Sequence, residues 1–379
     1  MMTNHSPRSK ALTAIREMIE NGTLAPGAML PPERSLAIRL DVSLSTLQRA
    51  LLLLEAEGLV VRRGARTRLV AKAASRDEEL LTGTVLVVAE NNHPVNDPTV
   101  YGWAGYVASG SLSEILQLKL HAVVLNPDEL ADDRLDRLLA SGVSGFILPE
   151  LDRFETHFPG WAKHAVDAKV PVVVFGDEES LRGFDRVAPD HETGAYALTQ
   201  WLLSTGRKAP HLVAMSDQPP AWMQARRRGY EKAMREAGRD PFPSLLLPSL
   251  SSEETSEDKR LQIKTQIMAG ALLRLNHDNI PVDALLATTD GDLPAIAAAV
   301  KLLGKTPNAD ISLVGYDDYW DQAPDRSVDD TPPLATINKN NLDIGRELVR
   351  LLLDRRNGSL PPEPQLRLVA PTLKVRKTN

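Results

Sequence analysis

The run Arg62-Arg63-Gly64-Ala65-Arg66 sets three guanidinium groups around a glycine. Guanidinium is permanently charged and grips phosphate oxygens, and arginines on a narrow turn can enter a minor groove. Upstream, Ser43, Leu44, Ser45, Thr46, Gln48 and Arg49 fall where a helix is expected to begin. A helix start offers unpaired N–H groups and partial positive charge to phosphate, and its first-turn side chains reach base edges. Other chemistries find no support. The chain has no cysteine, which removes disulfides, thiol nucleophiles and thiolate metal sites. Its eight histidines are scattered without H-E-x-x-H spacing, so no metal is expected. Gly304-Lys305-Thr306 looks like the end of a phosphate loop, but Ala299 stands where that loop needs its first glycine. No G-x-G-x-x-G follows a strand and no G-x-S-x-G elbow is present, so no cofactor and no serine hydrolase is expected.

The segments that must hold the arginines are unlike the rest of the chain. Residues 1–72 carry 11 basic and 6 acidic side chains, a net +5 in a chain of net −6. All 17 aromatic residues lie beyond position 72. A basic head without stacking platforms suits duplex DNA better than a single strand. Leu12, Ile15, Met18 and Ile19 recur at helical spacing, and Gly22 closes that helix. A second helix starts near Pro32 and buries Leu36, Ala37 and Leu40. Ser43 caps a third, which runs to Glu57 with Leu47, Ala50, Leu51 and Leu54 inward. Leu59–Val61 and Thr67–Val70 then read as two strands. Two helices on a short turn, followed by a basic hairpin, describe a winged helix-turn-helix.

Residues 11–70 resemble the GntR-type DNA-binding domain. The resemblance is carried by the 22–27 turn, Leu30-Pro31-Pro32-Glu33-Arg34, Leu36-Ala37 and the Ala50…Leu54…Gly58-Leu59 run. It implies that Arg34 holds backbone phosphate, that Ser43 to Gln48 read bases, and that Gly64 approaches the minor groove. The family usually has arginine where Leu44 and Gln48 stand here. Glutamine suits adenine, whereas leucine suits a thymine methyl or packs on the sugar–phosphate backbone. The operator is therefore expected to differ from guanine-containing half-sites.

Residues 73–82 read as a linker, with Ala71 to Gly83 small and charged throughout. Beyond it, short apolar runs alternate with helical stretches. Strands are expected at Val85–Ala89, Ala122–Leu125, Gly145–Leu148, Val172–Phe175, Leu212–Met215, Ala284–Ala287 and Ile311–Val314. Helices are expected at Asp132–Ala140, Thr193–Leu203, Ala225–Ala237, Asp258–Asn276 and Leu293–Leu303. This alternation predicts doubly wound parallel sheets, and about 300 residues of it predict two lobes with a cleft. Val187-Ala188-Pro189-Asp190 with Gly194-Ala195, Arg226-Arg227-Arg228-Gly229-Tyr230, Ala287-Thr288-Thr289-Asp290, Gly315-Tyr316-Asp317-Asp318 and Pro333-Leu334-Ala335-Thr336-Ile337 resemble, in order, blocks of the LacI-type effector domain. The resemblance covers 83–379 and implies a periplasmic-binding-protein fold with three crossings between lobes. It also implies ligand contacts from Arg226, Asp317 and Asp190, with Thr289 and Asp290 at the family's asparagine–aspartate positions. Asp190 is equally suited to cap a helix. Trp222, Tyr101, Trp103 and Trp320 are expected in cleft-facing loops, where each either stacks on a sugar face or packs ordinarily. Paired acids such as Glu178-Glu179 and Asp329-Asp330 are expected in solvated loops.

A GntR-type head on a LacI-type body resembles the arabinose-utilisation regulators of some bacteria. The expected protein is an α/β transcription regulator: head 1–72, linker 73–82, and effector-binding and dimerisation domain 83–379. Its expected partners are duplex operator DNA, a small polar effector such as a sugar, and a second copy of itself. No signal or spanning segment is evident, so a cytoplasmic protein is expected. The enzyme alternative is the same head fused to a pyridoxal-phosphate aminotransferase-like body, which would need a Schiff-base lysine.

Overall fold

The computed structural model describes residues 7–25, 27–56, 59–63, 67–70, 83–89, 102–126, 130, 132–149, 158–215, 219–248, 250, 256–322 and 329–376. The chain divides into two compact units, Met1–Leu80 and Leu81–Asn379. Tyr101, Gly64, Arg66 and the expected linker 73–82 lie outside the described residues.

The first unit holds α1 (Pro7–Glu20), α2 (Glu33–Arg39), α3 (Leu44–Ala56), β1 (Val60–Arg62) and β2 (Arg68–Val70). The apolar positions read from the sequence converge: Ile15, Leu36, Leu47, Leu51 and Leu54 are buried together with Val60 and Val70. Gly22, at φ +77°, lets the chain turn away after α1. Between α2 and α3 the turn is made at Asp41, which takes φ +52°. The strands pair antiparallel, Val60 opposite Val70 and Arg62 opposite Arg68.

The second unit is built on two six-stranded sheets. The first lobe contains β3 (Thr84–Val88), α4 (Gly102–Gln117), β4 (His121–Leu125), α5 (Asp132–Ala140), β5 (Gly145–Leu148), α6 (Phe158–Asp167), β6 (Val172–Phe175) and β7 (Asp185–Pro189). The second contains α7 (His191–Ser204), β8 (Pro210–Ala214), α8 (Ala221–Glu236), β9 (Leu245–Leu246), α9 (Glu257–His277), β10 (Ala284–Ala287), α10 (Leu293–Leu302), β11 (Ser312–Val314) and β12 (Ala335–Asn338). The chain then returns: α11 (Asn341–Arg356) and β13 (Leu366–Val369) join the first lobe, and β14 (Thr372–Val375) joins the second. Sheet orders are β13-β7-β6-β5-β3-β4 and β14-β12-β11-β10-β8-β9, parallel except for antiparallel β14. Helices cover both faces, which explains why β3, β5, β8 and β10 are buried along their whole length and are apolar except for Thr84 and His211.

The lobes are joined at three places, around Asp190, Lys339-Asn340 and Ala370-Pro371. These crossings are bonded to one another. Asp190 N–H donates to Val369 O at 2.9 Å, and Asn340 Nδ2 donates to Ala370 O at 2.8 Å. Asn340 itself sits at φ +59°.

Candidate functional site

In the first unit, Ser43 caps α3: its Oγ accepts from Thr46 N–H at 3.2 Å and meets the Thr46 hydroxyl at 2.7 Å. Leu44, Ser45, Gln48 and Arg49 are exposed, while Thr46 is half-buried. Arg34, Arg62 and Arg63 are exposed as well. One arginine of the hairpin does something else. Arg68 is buried, and it donates from Nη1 to Glu33 and from Nε to Glu55. The other oxygen of Glu33 accepts from Gln48 Nε2 at 2.8 Å. The wing, α2 and the outward face of α3 are thus linked through one carboxylate.

In the second unit, Arg226, Trp222, Asp317, Thr289 and Asp290 gather where the crossings meet the strand ends. Arg226 is at their centre. Nη2 donates to Asp317 Oδ1 at 3.0 Å, Nε to His191 Nδ1 at 3.2 Å and Nη1 to the Thr288 carbonyl. Its guanidinium stacks 3.6 Å from the Tyr316 ring and 4.5 Å from the Trp222 ring. Lys339 Nζ lies 3.2 Å from the same Asp317 oxygen and 5.3 Å from the Trp103 ring of the first lobe. Arg226 and Lys339 are buried, whereas Asp317 is half-buried. Burial pushes the Asp317 carboxyl up, but Lys339 and Arg226 outweigh it and hold it below the usual carboxylate range. Burial, with Arg226 and Lys339 nearby, holds His191 well below its ordinary pKa. It is therefore neutral at Nδ1, with its proton on Nε2.

Backbone strain marks the same place. Asp317 and Asp318 take φ +95° and +56°, in a region where side-chain-bearing residues are uncommon. Gly315 precedes them because a Cβ there would lie 1.8 Å from Asp290 Oδ1. Gly229 serves α8 likewise: a Cβ would lie 2.1 Å from Glu192 O on α7, so it sets how closely these helices pack.

Several expectations need correction. Trp222 lies on α8 and Trp103 on α4, not in loops. Trp320 is 1% exposed and belongs to the core of the second lobe. Asp290 is fully buried; its oxygens accept from Tyr319 N–H and the Thr336 hydroxyl, so it supports the strained loop from beneath. Burial, then the neighbouring Asp317, pushes its pKa up to about 7. Asp190 caps α7, with one oxygen accepting from Thr193 N–H and the other from its hydroxyl. Thr289 is half-buried and shares a 3.0 Å hydrogen bond with the Tyr319 hydroxyl. Asp329 is not solvated but buried against Lys301. Glu178 accepts from Ala221 N–H at 3.2 Å, so a first-lobe loop caps the start of second-lobe α8.

Sequence reasoning missed Lys339, His191 and Tyr106. Lys339 had no pattern to reveal it, because only the crossing geometry brings it to Asp317. A cavity of about 340 Å³ opens beside the cluster, lined from both lobes by Trp103, Tyr106, Asp317, Asp318, Tyr319 and Asn341, among others. Gln322 Nε2 reaches the Tyr106 hydroxyl across it at 3.4 Å. Phe175 packs on Trp103 with ring centroids 4.8 Å apart, extending the aromatic wall. Asp177, beyond Phe175, lies in the field of Arg186, Arg228 and Arg226, yet burial leaves its carboxyl raised. Among the described residues, no cluster of His, Asp and Glu is arranged to hold a metal, and no helix is long and apolar enough to cross a membrane.

Residues 7–70 match the family of bacterial regulatory proteins called the gntR family, and residues 199–379 match the periplasmic binding protein-like domain. The transcriptional repressor PurR of Haemophilus influenzae (strain PittEE) is 29% identical over 170 residues, 45% of each chain. The chain thus spans about half the length of the PurR relatives it matches. The transcriptional regulator CelR of Thermobifida fusca is 28% identical over 85% of this chain and 86% of its own. Among solved structures, a LacI-family regulatory protein from Chloroflexus aggregans has a TM-score of 0.57 at 21% identity, covering 78% of this chain and 98% of that one. A CelR–cellobiose complex has a TM-score of 0.53 at 21% identity, covering 89% and 92%. None of these supports an aminotransferase-like body. Residues 7–70 thus carry a gntR-type helix-turn-helix domain and residues 199–379 a periplasmic binding protein-like domain, and the relatives similar to the chain are transcriptional regulators.

Proposed function

We propose that the chain is a one-component transcription regulator, not an enzyme, working in the cytoplasm as a homodimer on operator DNA under control of a small polyhydroxylated effector. The observation that carries this reading is the Arg226–Asp317–Lys339 cluster at the lobe junction of a chain that also bears a gntR-type head. Arginine presents a planar fork of donors, lysine a mobile donor, and Asp317 an acceptor-only carboxylate held ionised. That set matches hydroxyl groups, each of which donates and accepts. Trp103, Phe175 and Trp222 supply apolar ring faces of the kind a sugar packs on.

On the head, Arg34, Arg49, Arg62 and Arg63 supply phosphate contacts, joined by Gly64 and Arg66 of the wing tip. Ser43, Leu44, Ser45, Thr46 and Gln48 face the major groove. Two half-sites on a duplex call for two symmetric heads, hence the dimer. Tyr101, Asp190, Thr289 and Asp290 remain assigned to the ligand region, the last as support rather than contact.

The test has two arms. The full chain should bind duplex selected from random sequence, with affinity falling steeply as salt rises. In a thermal-shift screen of sugars and sugar derivatives, one ligand at 100 times its Kd should add about 2.7 kcal/mol of stability. That ligand should also change operator affinity. A chain that selects no duplex, or whose operator affinity no stabilising ligand changes, overturns the reading.

A further inference from the structure

The hydrogen-bond pattern on the head assigns Glu33 a role beyond anchoring the wing: we infer that it sets which base Gln48 reads, by fixing the orientation of the Gln48 amide. The inference rests on the reading of the head as a major-groove reader. A glutamine amide is two-faced, with an acceptor on one side and two donors on the other, and rotation by half a turn exchanges them. On a free surface it reads either kind of base edge.

Here the ambiguity is removed. Glu33 is the first residue of α2, and one of its oxygens is held by Arg68, which is only 8% exposed and also bound to Glu55. The remaining oxygen accepts from Gln48 Nε2 at 2.8 Å. A carboxylate cannot donate, so only the NH₂ side of Gln48 can face it. The hydrogen bond is charge-assisted, roughly twice as strong as a neutral one. One Nε2 hydrogen is thereby consumed, and Oε1 and the second hydrogen are the groups left for DNA. Adenine offers a donor at N6 beside an acceptor at N7, which is the complement of that remainder. Guanine offers only acceptors in the major groove, at N7 and O6. The Glu33 charge lies close behind and adds repulsion against that edge. Glu33 is thus a positioning residue, and adenine over guanine is its consequence.

The experiment compares full-length variants in selections from random duplex and in titrations against matched adenine and guanine operators. In Glu33→Gln one amide oxygen must serve both neighbours, and buried Arg68 takes it. The new NH₂ then faces Gln48, which turns its own oxygen inward and both donors outward. The expected result is a shift toward guanine at one symmetric position, by about ten-fold in the adenine-to-guanine affinity ratio. Glu55→Gln removes the other anchor of Arg68 without touching Gln48. It should lower the melting temperature comparably and leave the preference alone. In a Gln48→Ala background, Glu33→Gln should have no further effect on preference. A Glu33→Gln shift no larger than that of Glu55→Gln, or one that persists without Gln48, overturns the inference while leaving the regulator reading intact. Absence of any sequence preference in the parent chain overturns both.

Discussion

At the scale of single residues, Arg226 and Asp317 do two things at once. They bind each other, and Asp317 lines the cavity beside them, so on the proposed function substitutions there act on both stability and recognition. Arg226→Lys keeps the charge but loses the fork that serves Asp317, Thr288 and His191 together. It should weaken effector binding by about 1–3 kcal/mol, measured by calorimetry. Asp317→Asn should do the same and leave Arg226 and Lys339 without their anion, lowering the melting temperature. Operator affinity in the absence of effector should be unchanged in both. Intact effector affinity with reduced stability would make the pair structural only. Asp290 allows a separate test by pH. Its native pKa of about 7 lies above the ordinary 3.8, so the fold prefers its protonated form. Its contribution to stability is complete below about pH 4 and is lost as pH rises through 7, at up to about 1.4 kcal/mol per pH unit. Asp290→Asn is neutral throughout, so the stability difference between variant and parent should climb in favour of the variant from pH 5 to 7. A flat difference contradicts the buried protonated state. The motif residues were legible because they stand in contiguous blocks. Lys339 and His191 were not, since each reaches the cluster only through the crossings.

At the scale of elements, what was readable depended on whether a segment carries its own pattern. The strands of the two sheet interiors are continuous apolar runs, and Gly145–Leu148, Val172–Phe175 and Ala284–Ala287 were located to the residue. Helix α4 was not seen. Its sequence holds three glycines and three serines, poor helix formers, and it is helical because both lobe-one sheet strands and α11 pack against it. Strands β13 and β14 are half-exposed edges whose alternation is only four residues long. Two caps give predictions here. Ser43→Ala should destabilise the head by about 1 kcal/mol and weaken operator binding, because α3 begins with that cap. Glu178→Gln should reduce effector affinity by a few fold, because its charge at the start of α8 joins the two lobes. Unchanged affinity in a calorimetric titration would show that this contact between the lobes is not coupled to effector binding.

At the scale of the whole molecule, division into two compact units predicts separable functions. A chain of residues 81–379 should keep its sugar-dependent thermal shift and lose duplex binding; retained operator affinity would refute the assignment of DNA binding to the head. In the full chain, Arg34→Ala should weaken all sequences alike and flatten the logarithmic salt slope by about one. The return of the chain from β12 into α11, β13 and β14 has a further consequence in time. The head is complete when residue 70 has been made, since its contacts are local. Neither sheet of the second unit is complete until the strands at 366–375 emerge. At about 5–20 residues per second, roughly 15 to 60 seconds of synthesis separate the two events. During that interval a nascent chain carries a folded head with neither the sensor nor the second copy that a symmetric operator requires. A ribosome stalled late in the message would display the same thing.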